Sequence, residues 1–340
     1  MKETDLMNYI NGELTHNRNV DFAFDFEKNG VPYIIKFIAP DVKNGINIPS
    51  INFIPQTKNI NSQIMVESNN LESDNLESVI QQASQTGTRL VNLTRDMPCP
   101  IVIPLIPSEK GKPYFQQLSK ECFELPSTDI NYRIDEQVVK IISNTKVLLK
   151  EKYNIEAKDK IFLNGYSSSG VFAQRFALLH PELIDVACIG GASGSIPFPS
   201  NKIGYPIGIE DYETLSGKTF DINAYESIKF RYYVGELETV DKSNSRFDEN
   251  NMPASMHDMS YFDRSVPQEV GKKQREMLGR DMFDRANKTI NILGKAGIDI
   301  THTVMRGRQH SSCNGLGEQF INNTYQESYQ GKSIENEKAR

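Results

Sequence analysis

A strand, a sharp turn and a helix follow one another without a break in residues 160–173. Ile161 to Leu163 is a short apolar run of the kind that forms a strand buried on both faces. Apolar residues then recur at helical spacing, at Phe172, Phe176 and Leu179. Only Gly165 to Gly170 remain for the chain to reverse direction. A serine in such a turn is held in a strained backbone conformation with its hydroxyl exposed above the sheet.

Three consecutive serines compete for this position. Ser167 fits best, because Gly165 lies two residues before it and the small Ser169 two residues after it. Ser168 has the bulky Tyr166 two residues before it, where the turn is tightest, and Ser169 lies too far into the helix. Ser169 departs from the strict G-x-S-x-G pattern. The alternative is a serine-rich loop that ends in a helix N-cap, since serines are common there.

The flanking sequence predicts an α/β fold with a mostly parallel sheet between helices. Apolar strands alternate with helical segments from about residue 101 to residue 190, and this rhythm is typical of right-handed βαβ units. Near the N-terminus, Asn29-Gly30 separates two strand-like runs and predicts an antiparallel hairpin at the edge of the sheet. Pro32 at the start of the second run favours an edge strand. A strand is also predicted near Ile64 to Val66, and a helix from Leu76 to Gln85.

The expected organisation is a single domain from residue 19 to residue 328. A loose polar arm (1–18) precedes it and a frayed charged tail (329–340) follows it. Two loop-rich excursions interrupt the domain, at 195–228 and at 241–266, and the second carries apolar residues that a lid over an acyl pocket would need. An ordinary packed loop would have the same composition.

Charge and composition restrict the class of partner. The net charge is −6 and the isoelectric point is near 5.6, with Lys and Arg scattered, so neither nucleic acid nor a membrane surface is expected as a partner. No segment reaches the apolar length of a membrane span. The N-terminus has no apolar core of a signal peptide, which favours a cytoplasmic location, although a secreted mature form stays open. The four cysteines show no C-x-x-C spacing, so we expect buried free thiols and no metal.

Chemically active residues follow the predicted strand ends in a characteristic order. A serine hydroxyl needs a base within hydrogen-bond reach and a carboxylate that orients the base. Ser167 follows the strand at Ile161, Glu238 and Asp241 follow the strand at Lys229, and His310 follows the strand at Ile298. Reactive groups collect at the carboxyl ends of strands in open α/β sheets. The order Ser, acid, His along the chain is the one found for this kind of sheet.

The remaining histidines have simpler interpretations. His302 lies within an alternating strand, and His180 precedes a proline at a helix end, where it can cap carbonyl groups. His16 lies in the polar arm and His257 in the second excursion, so neither has a strand end to position it. Cys313 is close to His310, but it lacks the signals of an activated thiol and is expected to be structural.

The chain resembles the α/β-hydrolase superfamily, in the esterase-type branch related to polyhydroxyalkanoate depolymerases and feruloyl esterases. The resemblance covers most of residues 90–325 and rests on four stretches, at 165–170, at 177–191 (Ala-Leu-Leu-His-Pro-Glu and the strand ending in Gly-Gly), at 234–238 (Val-Gly-Glu-Leu-Glu) and at 307–310 (Gly-Arg-Gln-His). It implies that Ser167 is the nucleophile and His310 the general base and then acid. It further implies that the carboxylate three residues after Gly235 orients the histidine. That residue is Glu238 here, where the family usually has Asp, and so Asp241 remains the alternate acid.

An oxyanion hole needs two backbone donors beside the nucleophile. One is expected to be the N–H of Ser168, directly after Ser167. The second is expected from the turn after the strand at Ile101. Pro104 and Pro107 have no N–H, which leaves Leu105 and Ile106, and Ile106 is preferred. A proline-bounded strand end without a catalytic part is the alternative.

Taken together, the sequence predicts a serine hydrolase that cleaves carboxylic esters through an acyl-enzyme, without cofactor or metal, acting on a small-molecule ester or acyl substrate. A peptidase or amidase of the same fold, and a non-catalytic binding protein that keeps the fold, are the alternatives.

Overall fold

A computed structural model of the chain describes residues 20–70, 73, 75–108, 114–237, 266–279, 282–308, 310 and 315–330. Its centre is a nine-stranded sheet with the order β1-β2-β3-β5-β4-β6-β7-β8-β9. The strands are β1 (Phe22–Lys28), β2 (Val31–Ile38), β3 (Ser50–Pro55), β4 (Met65–Val66), β5 (Ile101–Pro104), β6 (Ile161–Tyr166), β7 (Ile184–Gly190), β8 (Lys229–Gly235) and β9 (Ile300–Met305).

The N-terminal part of the sheet is antiparallel, as the hairpin signal predicts. Asn29 and Gly30 both have positive φ angles, of 53° and 75°, and form the two-residue turn between β1 and β2. β2 pairs with β3 on its other side, so Pro32 does not lie on an edge strand, and that prediction is wrong. The proline is tolerated near the start of β2, where its carbonyl accepts the N–H of Gln56.

The other strands are parallel, and their order reverses at one place. β4 pairs in parallel with both β5 and β6. The chain leaves β4 towards β5 on one side, whereas it leaves β6 towards β7 on the other side. Adjacent strands whose connections run in opposite directions open a crevice at their carboxyl ends. The crevice between β4 and β6 therefore lies beside the turn that carries Ser167.

Helices cover both faces of this sheet. The principal helices are α1 (Leu76–Leu93), α2 (Ile134–Tyr153), α3 (Ser168–Leu179), α4 (Tyr212–Ser216), α5 (Ile222–Glu226), α6 (Gln268–Leu278), α7 (Met282–Lys295) and α8 (Leu316–Gln330). α1 and α8 bury their apolar residues on one face, while α2, α3, α6 and α7 bury theirs on the other. Burial of both sheet faces explains why strands such as β6 are buried throughout and do not alternate between exposed and buried residues.

The first excursion, 195–228, packs into the core instead of lying loosely over the sheet. It contains α4 and α5, and its aromatic residues Phe198, Tyr205, Tyr212 and Tyr225 are all buried. Three predicted segments lie outside the described residues: the arm at 1–18, the end of the tail, and the possible lid at 241–266. Of the last, only Val266 is described, and it is buried. Among the described helices, none combines the length and the hydropathy that crossing a bilayer requires.

Candidate active site

The turn after β6 holds Ser167 in a strained conformation. Its φ and ψ angles are 56° and −118°, a region that residues with a side chain rarely occupy. Two hydrogen bonds fix the backbone there: the Ser167 N–H donates to the Gly190 carbonyl at 2.9 Å, and the Ser167 carbonyl accepts the Val171 N–H at 2.9 Å. The strained residue is therefore fastened to β7 on one side and to the first turn of α3 on the other.

Small residues allow the strand and the helix to meet. A Cβ atom on Gly165 would lie 2.2 Å from the Ser169 carbonyl oxygen, and one on Gly170 would lie 2.8 Å from the Gly190 carbonyl oxygen. Ser169, the departure from the G-x-S-x-G pattern, turns its hydroxyl back onto the turn. Its Oγ accepts the Tyr166 N–H and donates to the Tyr166 carbonyl, both at 2.9 Å. A buried serine can thus replace the glycine because its hydroxyl finds both partners locally.

The neighbouring serine has a different environment. Ser168 is buried, and its Oγ accepts a hydrogen bond from Nε2 of Gln117 at 2.9 Å. Gln117 is itself fixed, since its carbonyl accepts from the buried guanidinium of Arg175 at 2.9 Å. The Ser168 hydroxyl is therefore engaged with a neighbouring loop rather than with a base.

His310 lies beside Ser167. Its Nε2 is 2.8 Å from Ser167 Oγ, although the two residues are 143 positions apart in the chain. The Tyr166 ring packs on the imidazole, with 5.0 Å between the ring centroids. Gly191 lies on another side, where a Cβ atom would be only 2.9 Å from His310 Cε1. The structure therefore brings together the serine and the histidine that the sequence pairs.

The ends of β8 and β9 are joined just before His310. The Leu237 N–H donates to the Arg308 carbonyl at 2.8 Å, and the Glu236 carboxylate accepts the Gly307 N–H at 2.8 Å. Glu238 and Asp241, the two candidate acids, lie outside the described residues.

The loop after β4 is the second wall of the crevice, and three of its side chains are fixed. Glu67 accepts hydrogen bonds from Arg89 at 2.7 Å and from Asn164 at 2.5 Å. Asn69 bonds both backbone groups of Ile106, accepting its N–H at 2.7 Å and donating to its carbonyl at 2.9 Å. Asn70 Oδ1 accepts the Ser169 N–H at 3.1 Å.

This arrangement corrects the expectation for the second oxyanion donor. The Ile106 N–H is already donated to Asn69, and it is not free to face an oxyanion. The reason is topological. β4, not β5, is the immediate neighbour of β6, so the loop that flanks Ser167 follows Val66. Sequence reasoning missed Glu67, Asn69 and Asn70, and the only local signal was that polar residues follow a short apolar strand.

A separate charged cluster lies at the far end of α3. His180 Nε2 is 3.1 Å from Oδ2 of Asp135, and Arg133 donates two hydrogen bonds to the same carboxylate. Burial alone would raise the pKa of Asp135, but the bonds from His180 and Arg133 outweigh it and lower the pKa to about 2. Burial would lower the pKa of His180, but the hydrogen bond to Asp135 and the nearby Glu182 carboxylate raise it.

The same cluster is where the described residues could gather metal ligands, since Asp135, Glu136 and His180 offer atoms within 4.8 Å of one another. The Arg133 guanidinium already bonds both carboxylates, at 2.9 Å and 3.1 Å. The Arg133 guanidinium in this position would repel a metal cation, so we interpret the cluster as an ion-pair network.

Among the described residues, His302 and three cysteines lie outside the Ser167 site. His302 Nε2 is 3.1 Å from Oγ of Ser193, and burial lowers its pKa. Cys99, Cys122 and Cys188 are free and buried, and burial raises the pKa of the Cys99 and Cys188 thiols to about 12. Thiols with such pKa values are unreactive at neutral pH. His16, His257 and Cys313 lie outside the described residues.

Similarity to known proteins is found among solved structures. No protein-family model and no curated protein matches the sequence. Among solved structures, poly(aspartic acid) hydrolase-1 from Sphingomonas sp. KT-1 is similar with a TM-score of 0.50 and 12% identity, over 93% of this chain and 100% of that chain. An S-formylglutathione hydrolase from Agrobacterium tumefaciens matches with a TM-score of 0.44 and 11% identity, over 89% and 96% of the two chains. The siderophore hydrolase EstA from Aspergillus nidulans matches with a TM-score of 0.44 and 16% identity, over 91% of this chain and 96% of that chain.

The strand order, the reversal between β4 and β6 and the strained serine after β6 together define the α/β-hydrolase fold. The similarity to the first of these solved structures extends over the whole length of that chain and supports the same fold.

Proposed function

We propose that the protein is a serine hydrolase that cleaves carboxylic esters through an acyl-enzyme intermediate. The observation that carries this proposal is the 2.8 Å contact between His310 Nε2 and Ser167 Oγ, made where Ser167 is strained and follows a central strand. A nucleophile within hydrogen-bond reach of a base is the arrangement that activates a serine hydroxyl. A φ angle of 56° is strained for a serine, and such strain is typical of functional sites.

The chemistry follows from the positions of these atoms. His310 Nε2 accepts the proton of the Ser167 hydroxyl as Oγ attacks the ester carbonyl, and the carbonyl oxygen takes the negative charge. The Ser168 N–H, at the start of α3, supplies one hydrogen bond to that oxyanion. The imidazolium then gives its proton to the leaving alcohol. Water, deprotonated by the same imidazole, releases the acid from Ser167 in the second half of the reaction.

Glu238 is proposed as the acid that orients His310, with Asp241 as the alternative. The link between Leu237 and Arg308 supports this choice, because Glu238 directly follows Leu237 and His310 lies two residues after Arg308. Asp241 is separated from that link by three further residues. A carboxylate on the imidazole side opposite Ser167 would hold the tautomer whose Nε2 accepts a proton.

A fluorophosphonate probe tests the proposal, because it reacts covalently with activated serines. We expect one labelled peptide in the wild-type protein, containing Ser167, and no labelling of Ser167→Ala. His310→Gln should be labelled far more slowly, since the hydroxyl then lacks its base. An unlabelled wild-type protein that is correctly folded would contradict a hydrolytic role and favour a binding protein.

The substrate class is tested with p-nitrophenyl esters of increasing acyl length and matched p-nitroanilides. The proposal predicts turnover of the esters, with the preferred length reporting the depth of the acyl pocket. Hydrolysis of the anilides at rates similar to those of the esters would instead favour an amidase or peptidase.

A further inference from the structure

We infer that the side-chain amide of Asn70 is the second donor of the oxyanion hole. The inference rests on the proposed function and gives a catalytic task to a side chain, where this fold would be expected to use a second backbone N–H. It starts from the hydrogen bond between the Ser169 N–H and Oδ1 of Asn70, at 3.1 Å.

This hydrogen bond fixes which way the Asn70 amide faces. A backbone N–H can only donate, so the atom that receives it must be the amide oxygen rather than the nitrogen. The Asn70 Nδ2 group therefore lies on the other branch of the amide. It makes no hydrogen bond to any residue of the chain that the structure describes, and Asn70 is only partly buried. Nδ2 is thus a donor held next to the start of α3 and open to a ligand.

The position of this donor matches the needs of the reaction. Ser168 and Ser169 are the first two residues of α3, and their N–H groups point out of its N-terminus. The Ser169 N–H is occupied by Asn70, whereas the Ser168 N–H is the donor expected to contact the oxyanion. The Asn70 amide is bonded to the N–H of Ser169, the residue next to Ser168. The other candidate, the Ile106 N–H, is engaged by Asn69.

The residues before Asn70 are fixed by hydrogen bonds to three neighbouring parts of the fold. Glu67 is buried and is bonded by Arg89 of α1 and by Asn164 of β6. Asn69 is buried and is bonded twice to Ile106. A donor that is already in place when charge develops stabilises the transition state without reorganisation, which is the source of oxyanion-hole catalysis. These contacts therefore supply the rigidity that a side-chain donor requires.

The test compares two variants that separate a donor role from a structural one. Asn70→Asp keeps an oxygen to accept the Ser169 N–H but removes the NH2 donor, whereas Asn70→Ala removes both. If Nδ2 stabilises the oxyanion, kcat for a p-nitrophenyl ester should fall about 10²- to 10³-fold in both variants, with little change in KM. Inhibition by a trifluoromethyl ketone, which forms the tetrahedral adduct, should weaken in parallel, while inhibition by the product alcohol should not.

Asn92→Asp is the matched control. Its Oδ1 likewise accepts an N–H, from Asn29 at 3.0 Å, but on the exposed surface of α1, so its kcat should equal that of the wild type. If Asn70→Asp keeps the wild-type kcat and only Asn70→Ala loses it, Asn70 is structural and the inference is overturned. If Asn70→Ala keeps the wild-type kcat, the NH2 group is not needed and the inference also fails. Wild-type protein that neither labels at Ser167 nor turns over esters would instead refute the proposed function itself.

Discussion

Gly191 lies directly against the imidazole of His310, so closely that a Cβ atom at this position would be 2.9 Å from Cε1. The same atom would be 3.0 Å from the Tyr166 ring, which packs on another part of the imidazole. His310 is therefore held by its surroundings, and the space it occupies depends on the absence of a side chain at Gly191.

Gly191→Ala should displace His310 and lower kcat strongly while the protein stays folded. Its φ angle is +60°, so the substitution also adds backbone strain of about 1 kcal/mol. Gly217→Ala separates the two effects, because Gly217 has a φ angle of +71° and open space around its Cβ position. Steady-state kinetics and thermal unfolding of both variants should show similar losses of stability but a loss of kcat only for Gly191→Ala. Equal kcat values in the two variants would show that the contact with His310 does not matter.

Glu67→Gln should destabilise the protein substantially. The Glu67 side chain is only 4% exposed and pairs with the Arg89 guanidinium, so its neutralisation leaves a largely buried cation without its counter-charge. Loss of one partner of a buried pair costs about 3 kcal/mol or more. Glu156→Gln is the control, because the Glu156 and Lys150 side chains are 77% and 67% exposed, and it should change the free energy of unfolding by less than about 0.5 kcal/mol. Denaturant titrations measure both, and equal small effects would contradict the assigned role of the Glu67 pair.

The pair formed by His180 and Asp135 should make stability depend on pH. The pKa of His180 is raised on folding, so its contribution is complete below the unfolded pKa of about 6.5 and is lost as pH rises through the folded value. The pKa of Asp135 is lowered to about 2, so its contribution is present above its unfolded value and is lost as pH falls towards 2.

His180→Gln tests this linkage. The difference in free energy of unfolding between wild type and variant should be largest near pH 5 to 6 and should shrink as pH rises towards 9. Chemical denaturation at several pH values measures the difference. A difference that stays constant across this range would mean that folding does not shift the pKa of His180, and a difference that grows as pH rises would mean that His180 is neutral in the folded protein.

The parallel core of the fold was predictable because its local signals agree with its tertiary structure. Apolar runs mark β6 and β7, and the spacing of Phe172, Phe176 and Leu179 marks α3, all of which the structure confirms. β3 gave no such signal. Its sequence, Ser-Ile-Asn-Phe-Ile-Pro, places polar residues in a strand that is buried throughout, where the Asn52 amide donates to the Thr145 hydroxyl of α2.

The site was predictable only in part, because some of its residues lack a local sequence signal. Ser167 and His310 each follow a recognisable strand, so the sequence could pair them before their 2.8 Å contact was known. The order of strands across the sheet has no local signal, and so the placement of β4 beside β6 could not be read from the sequence. The expectation for Ile106 failed for this reason, while the loop carrying Asn70 was overlooked.

The central claim, that Ser167 is the nucleophile, is tested most directly by the initial rates of p-nitrophenyl ester hydrolysis in Ser167→Ala and Ser168→Ala. Ser167→Ala should lose about 10³-fold or more in kcat, as expected when a member of such a triad is removed. Ser168→Ala loses only the hydroxyl that accepts from Gln117 and keeps its backbone N–H, so it should retain most of the wild-type rate. An active Ser167→Ala together with an inactive Ser168→Ala would contradict the account.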